Sequence, residues 1–299
     1  MTLLKSLLLT VAAATFATTP VLAGDDYTIV LNRPDKVGEK AEFAYSGDFQ
    51  ALQQLLANGK VAKLIKNDNY HAELKTVETT LKIDEKNNAV EISATISKFT
   101  KKNNSTGETK ELLPAGTVVE AKKKDKNDEY LINGKPVPPE VLETLKHFIR
   151  FSHSKHNDDD VFGTKEKKKV GDSWPINKTP VIQDLTDAKM KADPAKIEGK
   201  TTLEKIDTVD GVKCVLVKAN LDAKDVILPM PPGFNIKEST MKSSFSGMFP
   251  VDTAKHGMSS TSSEDLRCVF SKQGNAQAPT IEIEISQKSL VKWTRKTVK

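Results

Sequence analysis

The residues best equipped for chemistry lie close together in the middle of the chain. His147, His153 and His156 precede Asp158-Asp159-Asp160, and His153-Ser154-Lys155-His156 sets two imidazoles three residues apart. Imidazole and carboxylate at that spacing suit zinc or a similar metal. His153, His156 and Asp158 are therefore a candidate metal set, and with it a metal-dependent hydrolase is one functional alternative. Against this, Lys155 stands between the two histidines, His147 falls in a helical pattern, and polar linkers carry such residues without any ligand. The Gly and terminal Glu of an EF-hand calcium loop are missing.

Other chemistry has less support. There is no Gly-x-Ser-x-Gly elbow and no Gly-rich phosphate loop. His256 lies beside Gly257 near several serines, with no sequence neighbour to orient it, and Glu282 and Glu284 fall on the wet face of a strand. Nothing calls for a cofactor. The chain carries 45 Lys+Arg against 40 Asp+Glu, a formal charge of +5, with both signs interleaved. Its Lys-rich runs lack the alternating aromatics of a nucleic-acid surface, so nucleic acid is not an expected partner. Three apolar residues could instead line a ligand cleft. Trp174 reads most simply as a core anchor at the start of a strand, with ligand stacking as the alternative. Met230 and Phe234 bracket the apolar loop Met230-Pro231-Pro232-Gly233-Phe234, a cover over the core or, if exposed, an apolar rim.

These residues need a scaffold. At 299 residues the chain can bury one large or two medium cores, and its mean hydropathy of −0.43 suits a β protein with one wet face. Residues 1–23 read as a signal peptide: Lys5, a short apolar run from Leu7 to Ala14, and Val21-Leu22-Ala23 before the cleavage point. This places the protein in a secreted or periplasmic compartment, with no later stretch of membrane-spanning length.

The pattern from 24 onward is mainly β. Tyr27 to Leu31 is a short strand. Asp48 caps a predicted helix over 49–57, with Phe49, Leu52, Leu55 and Leu56 on one face and Asn58-Gly59 as its stop. Val77 to Ile83 and Val90 to Ile96 alternate around Glu85-Lys86-Asn87-Asn88, the clearest hairpin. Strands near 117–121 and 129–132 follow, the second ending at Asn133-Gly134. Pro139 opens a helix near 139–151 with the stripe Val141, Leu142, Leu145, Phe148 and Ile149. Residues 152–168 form a charged linker. The second half, 169–299, holds a hairpin around Asp210-Gly211, strands over 240–249 and 256–270, and a last strand through Ile281, Ile283 and Ile285 that runs toward Trp293. A basic tail, 292–299, is expected to fray. Cys214 and Cys268 are in phase with apolar neighbours on separate strands. In an oxidising compartment they are expected to form a disulfide in the core of the second half.

Lys169-Val170-Gly171-Asp172-Ser173-Trp174 is echoed faintly by Lys36-Val37-Gly38-Glu39-Lys40, which suggests two related β-rich halves. With the Val-Gly-Asp-Ser-Trp motif and the order of elements, the chain resembles uncharacterised secreted β-rich proteins of planctomycete-like bacteria. More loosely, long strands curling over a helix resemble the half-barrels of periplasmic lipid carriers. The resemblance implies an exported, duplicated β-rich protein and transfers no catalytic residues. The sequence therefore points to a mainly β (α+β) protein of two antiparallel halves, the first with a packed helix. Its expected role is non-enzymatic: binding a lipid or other apolar ligand, a cell-envelope component or a protein partner. The metal-dependent hydrolase and a structural envelope protein are the alternatives.

Overall fold

The structure, a computed structural model, describes residues 25–125, 127–229, 232–275 and 278–298. The expected signal peptide, 1–23, and Met230 lie outside the described residues. The strands are β1 (Lys40–Ala57), β2 (Lys60–Ile83), β3 (Ala89–Asn103), β4 (Thr109–Glu111), β5 (Val118–Lys122), β6 (Glu129–Ile132) and β7 (Lys135–Pro136). After helices α1 (Pro139–Leu145) and α2 (Asp158–Phe162) come β8 (Ser173–Pro175) and helix α3 (Lys178–Asp187). Then follow β9 (Ile197–Val209), β10 (Val212–Lys224), β11 (Asn235–Pro250), β12 (Ser259–Lys272) and β13 (Ile281–Thr297). All belong to a single 13-stranded sheet in the order β7-β6-β5-β3-β2-β1-β13-β12-β11-β10-β9-β8, with β4 beside β3. The two β-rich halves are thus joined edge to edge. β1 and the final strand β13 pair antiparallel from Ala41↔Thr297 to Ala57↔Ile281.

Alternation gives this sheet two unlike faces. One face carries Phe43, Tyr45, Gly47 and Phe49 of β1, and beside them Arg295, Trp293, Val291 and Ser289 of β13. Following the register, Glu78, Leu74, Ala72 and Tyr70 of β2 share that face, as do Phe245, Ser243 and Met241 of β11. The helices cover its two flanks. Val141 and Leu145 of α1, with Phe148 and Ile149 just after it, pack on Phe49, Tyr70, Leu74 and Phe99. Val181 and Leu185 of α3 pack on Ile197, Leu221 and Ala223. The opposite face is rich in Lys, Glu, Ser and Thr and faces water, as an antiparallel sheet allows.

The predicted helix over 49–57 is instead the outer half of β1. Both edges of this segment are paired, to β2 and to β13, so every backbone group has a ladder to join. Gln53-Gln54, which spoils strict alternation, marks a β-bulge in the β1–β2 ladder. Asn58 and Gly59, with φ of 50° and 75°, form the two-residue hairpin turn that the same dipeptide would supply as a helix stop. α1 is shorter than predicted, and tight turns carry its apolar stripe on to Ile149. Residues 152–168 hold α2, whose Asp159 accepts from the backbone N–H groups of Leu31 (2.7 Å) and Asn32 (3.0 Å). The basic tail does not fray at 292: β13 runs to Thr297.

Cys214 and Cys268 are both buried, but both are free thiols. They lie on β10 and β12, with β11 between them. On β11, Cys214 is level with Pro250 and Cys268 with Ser239, eleven residues apart along the strand. At roughly 3.3 Å per residue that is on the order of 36 Å, several times the reach of a disulfide. Alternation also sends the two side chains to opposite faces. Phase with apolar neighbours located both in the interior; it could not locate them relative to each other.

Candidate ligand-binding trough

Two cavities lie end to end on the helix-bearing face, across the seam between the halves. The first, about 480 Å³, is lined by Asp35, Glu39, Glu78, His256, Trp293 and Arg295 among others. The second, about 510 Å³, is lined by Phe49, Tyr70, Met190, Leu221, Met241 and Leu266 among others. Both also count Phe162, Ser243 and Glu264 among their walls, so they adjoin as two parts of one trough. In a flat sheet β2 and β10 would lie about 24 Å apart, five strand spacings. Tyr70 and Leu221 bound the same cavity, so the sheet curls around the trough.

The apolar end is built by the register. Phe49 and Tyr70 are cross-strand partners with ring centroids 5.1 Å apart. The His147 ring lies tilted by 30° against Phe49 with centroids 4.2 Å apart, and burial lowers its pKa. Across the trough, Met241 and Leu266 are cross-strand partners on β11 and β12. Phe162, the last residue of α2, stands where the two cavities meet. Its ring meets Phe245 edge-on at 5.2 Å, and its carbonyl accepts from the Trp174 indole Nε1 at 2.8 Å.

The other end is charged. The Glu39 carboxylate holds Arg295 Nη2 at 2.9 Å through one oxygen and His256 Nε2 at 3.0 Å through the other. Asp35 lies 3.9 Å from His256 Nδ1 and accepts from the Ala89 N–H at 2.8 Å. Burial raises the Asp35 pKa, and that hydrogen bond works against the rise. Glu78 accepts from the Tyr45 hydroxyl (3.0 Å) and the Thr76 hydroxyl (2.9 Å). Burial nevertheless pushes its pKa from 4.5 to about 7, because desolvation outweighs both hydrogen bonds and the nearby Arg295. Both ring nitrogens of His256 face carboxylates. Ser260 and Ser262 line the same cavity, and among the described residues neither is hydrogen-bonded to His256.

The residues singled out from sequence fall elsewhere for the most part. His153 Nε2 sits 2.8 Å from Asp128 and His156 Nε2 sits 2.7 Å from Gln183, while Asp158 is exposed in the first turn of α2 at the rim of the charged cavity. Among the described residues, no group of three or more His, Cys, Asp or Glu side chains is placed to hold a metal ion. The spacing His-x-x-His was a local signal, and the loop turns each imidazole to a different partner. Trp174 is buried with Tyr27, Ile29, Leu31, Leu203 and Phe249. It lines neither cavity, but it packs in one cluster with Leu31 and Phe249 and hydrogen-bonds Phe162, all three on the wall of the first. Phe234 is half-buried just before β11, outside the lining of both cavities. Arg295, Glu78 and Phe162 carried no motif, and Glu39 stood only in the faint echo over 36–40. Their common signal is a charged or aromatic residue on the apolar face of a strand or short helix, visible only once the register is known. His256 was visible as a residue but not its partners, which come from a segment more than two hundred residues away.

No family model matches the chain, and no curated protein matches it. Among solved structures the chain is similar to the outer membrane protein OprG from Pseudomonas aeruginosa, at 7% identity over 89% of this chain and 99% of that one, with a TM-score of 0.16. Among the described residues, no helix is long and apolar enough to cross a membrane.

Proposed function

We propose that this chain is an exported, non-enzymatic binding protein whose ligand is an amphiphile, held with its apolar part against Phe49, Tyr70, Met241 and Leu266 and its polar part toward Glu39, Glu78 and Arg295. The observation that carries this reading is that the two cavities adjoin on one face of the sheet. Two cavities of ligand size, about 480 and 510 Å³, share walls; the second is the more apolar, with charged side chains among its lining, and the first holds the Glu39, His256 and Arg295 cluster beside aromatic walls. An apolar molecule without a polar end would leave the charged cavity unused, and a small ion would leave the apolar one unused. The signal-like segment 1–23 supports a secreted or periplasmic site of action. The half-barrel character of periplasmic lipid carriers agrees with a sheet curled around an apolar trough, as fold-level analogy.

Native mass spectrometry of the protein purified from its own host, followed by solvent extraction, tests this reading. A co-purifying lipid or fatty acid that is lost on delipidation is the expected result. Protein of bare chain mass that also fails to take up long-chain amphiphiles after delipidation would refute it.

A further inference from the structure

The tip of the β1–β2 hairpin is built unlike the rest of the surface. Residues 58–67 are exposed without a break. Within them Val61, Leu64 and Ile65 are 59%, 52% and 49% exposed, whereas the other large exposed apolar residues are scattered singly. Lys60, Lys63 and Lys66 interleave with them. Lys66 pairs with Asp68 at 3.1 Å; among the described residues no acid lies within ion-pair distance of Lys60 or Lys63. The acids on the neighbouring strand are already neutralised, Glu282 by Lys237 at 2.7 Å and Glu284 by Arg267 at 3.1 Å.

The tip is apolar on both faces. The register puts Leu56 opposite Val61 on one face and Leu55 beside Ile283 on the other. β3 pairs with β2 only from Tyr70 inward, so this part of β2 is also a free edge. A protein partner would cover one face of such a hairpin. Apolar groups on both faces with an unpaired cationic fringe fit a wedge set into the boundary between headgroups and acyl chains.

From this we infer that the β1–β2 tip docks the protein on an anionic lipid surface, with Val61, Leu64 and Ile65 entering the acyl boundary and Lys60 and Lys63 meeting anionic headgroups. Lys66 and Asp68 line the apolar end of the trough. Leu55, Ile283 and Ile285 continue the same face toward the tip, so the docked end is the end nearest the apolar cavity. Docking does not depend on what the trough holds.

The test is flotation with phosphatidylcholine vesicles, with and without a fraction of phosphatidylglycerol. It compares wild type, Val61→Asn with Leu64→Asn and Ile65→Asn, and Lys60→Gln with Lys63→Gln. Intact mass confirms the same N-terminus in all, and thermal melting confirms folding, which these exposed positions should leave unchanged. Wild type should float with anionic vesicles and bind neutral ones far more weakly. Removing the two lysines should weaken anionic binding by roughly 30-fold and remove most of its salt dependence. The apolar variant should lose binding to both. Three results would overturn the inference: wild type that ignores anionic vesicles, variants that float as wild type does, or a wild type that binds no vesicle and instead self-associates through the free edge. Uptake of a water-soluble amphiphile by the tip variants should match wild type, which separates failure of docking from failure of the trough.

Discussion

Gly38 and Gly171 occupy the same position in the same turn, one in each half. The Gly38 N–H donates to the Thr80 carbonyl at 2.8 Å, and the Gly171 N–H donates to the Leu203 carbonyl at 2.8 Å. The next residues repeat it. The Glu39 N–H donates to the Lys36 carbonyl (3.1 Å) and the Glu39 carbonyl accepts from the Thr80 N–H (3.0 Å); the Asp172 N–H donates to the Lys169 carbonyl (3.0 Å) and the Asp172 carbonyl accepts from the Leu203 N–H (3.0 Å). Both glycines have positive φ, 82° and 93°. The faint sequence echo is therefore a structural echo of one turn that feeds a strand. Beyond the turn the halves diverge: β1 runs for 18 residues, while β8 ends at Pro175, which has no N–H to donate.

A methyl group on either glycine would meet nothing within 4 Å, so substitution reports backbone strain alone. Gly38→Ala and Gly171→Ala should each lower stability by about 1 kcal/mol, and together by about the sum, because the sites are far apart. Denaturant melts measure this; an unchanged midpoint for both would remove the claim that the turns require positive φ.

Glu39 is the hub of the charged cavity, holding Arg295 and His256 at once. The Arg295 side chain is only 9% exposed, and among the described residues its Nε and Nη1 have no hydrogen-bond partner. Glu39→Gln should therefore strand a buried guanidinium and cost about 3 kcal/mol, more than a surface pair would. A loss below about 1 kcal/mol would mean that water reaches this cluster freely.

Glu78 makes stability fall as pH rises. Its folded pKa of about 7 lies above the ordinary 4.5, so between those values the folded chain holds a proton that the unfolded chain has released. The stabilisation is whole below about 4.5 and is lost on approaching 7. Melting temperature against pH for wild type and Glu78→Gln should diverge across that window, with the variant flatter. Parallel curves would show that Glu78 titrates as an ordinary carboxylate.

Two thiols per chain should react in denatured, unreduced protein, since Cys214 and Cys268 lie at opposite ends of the neighbouring strand β11. No reactive thiols would require a different register for β10–β12.

The sequence made the fold class and the tight turns readable because both are local. Asn133-Gly134 and Asp210-Gly211 have positive φ at both residues, as their dipeptides promise. What failed was reading one segment without its neighbours. The Phe49, Leu52, Leu55 and Leu56 spacing suits a helix face, yet two long partner strands and a bulge at Gln53-Gln54 make it strand. Helix α3 went unnoticed. Asn177 caps it and Val181 and Leu185 are its buried contacts, but Pro180 and its β-branched neighbours disguise it. The trough lay beyond local reading altogether, because its lining converges only when β13 closes on β1.

The most direct measurement is the affinity of the delipidated protein for a fluorescent long-chain fatty acid, compared between wild type and Leu266→Asp. Leu266 is half-buried on the trough face of β12 and lines the apolar cavity. A charge there should weaken binding by at least about tenfold while leaving the melting temperature nearly unchanged. Equal affinity in a folded variant, or no measurable binding by wild type, would contradict a trough that holds an amphiphile.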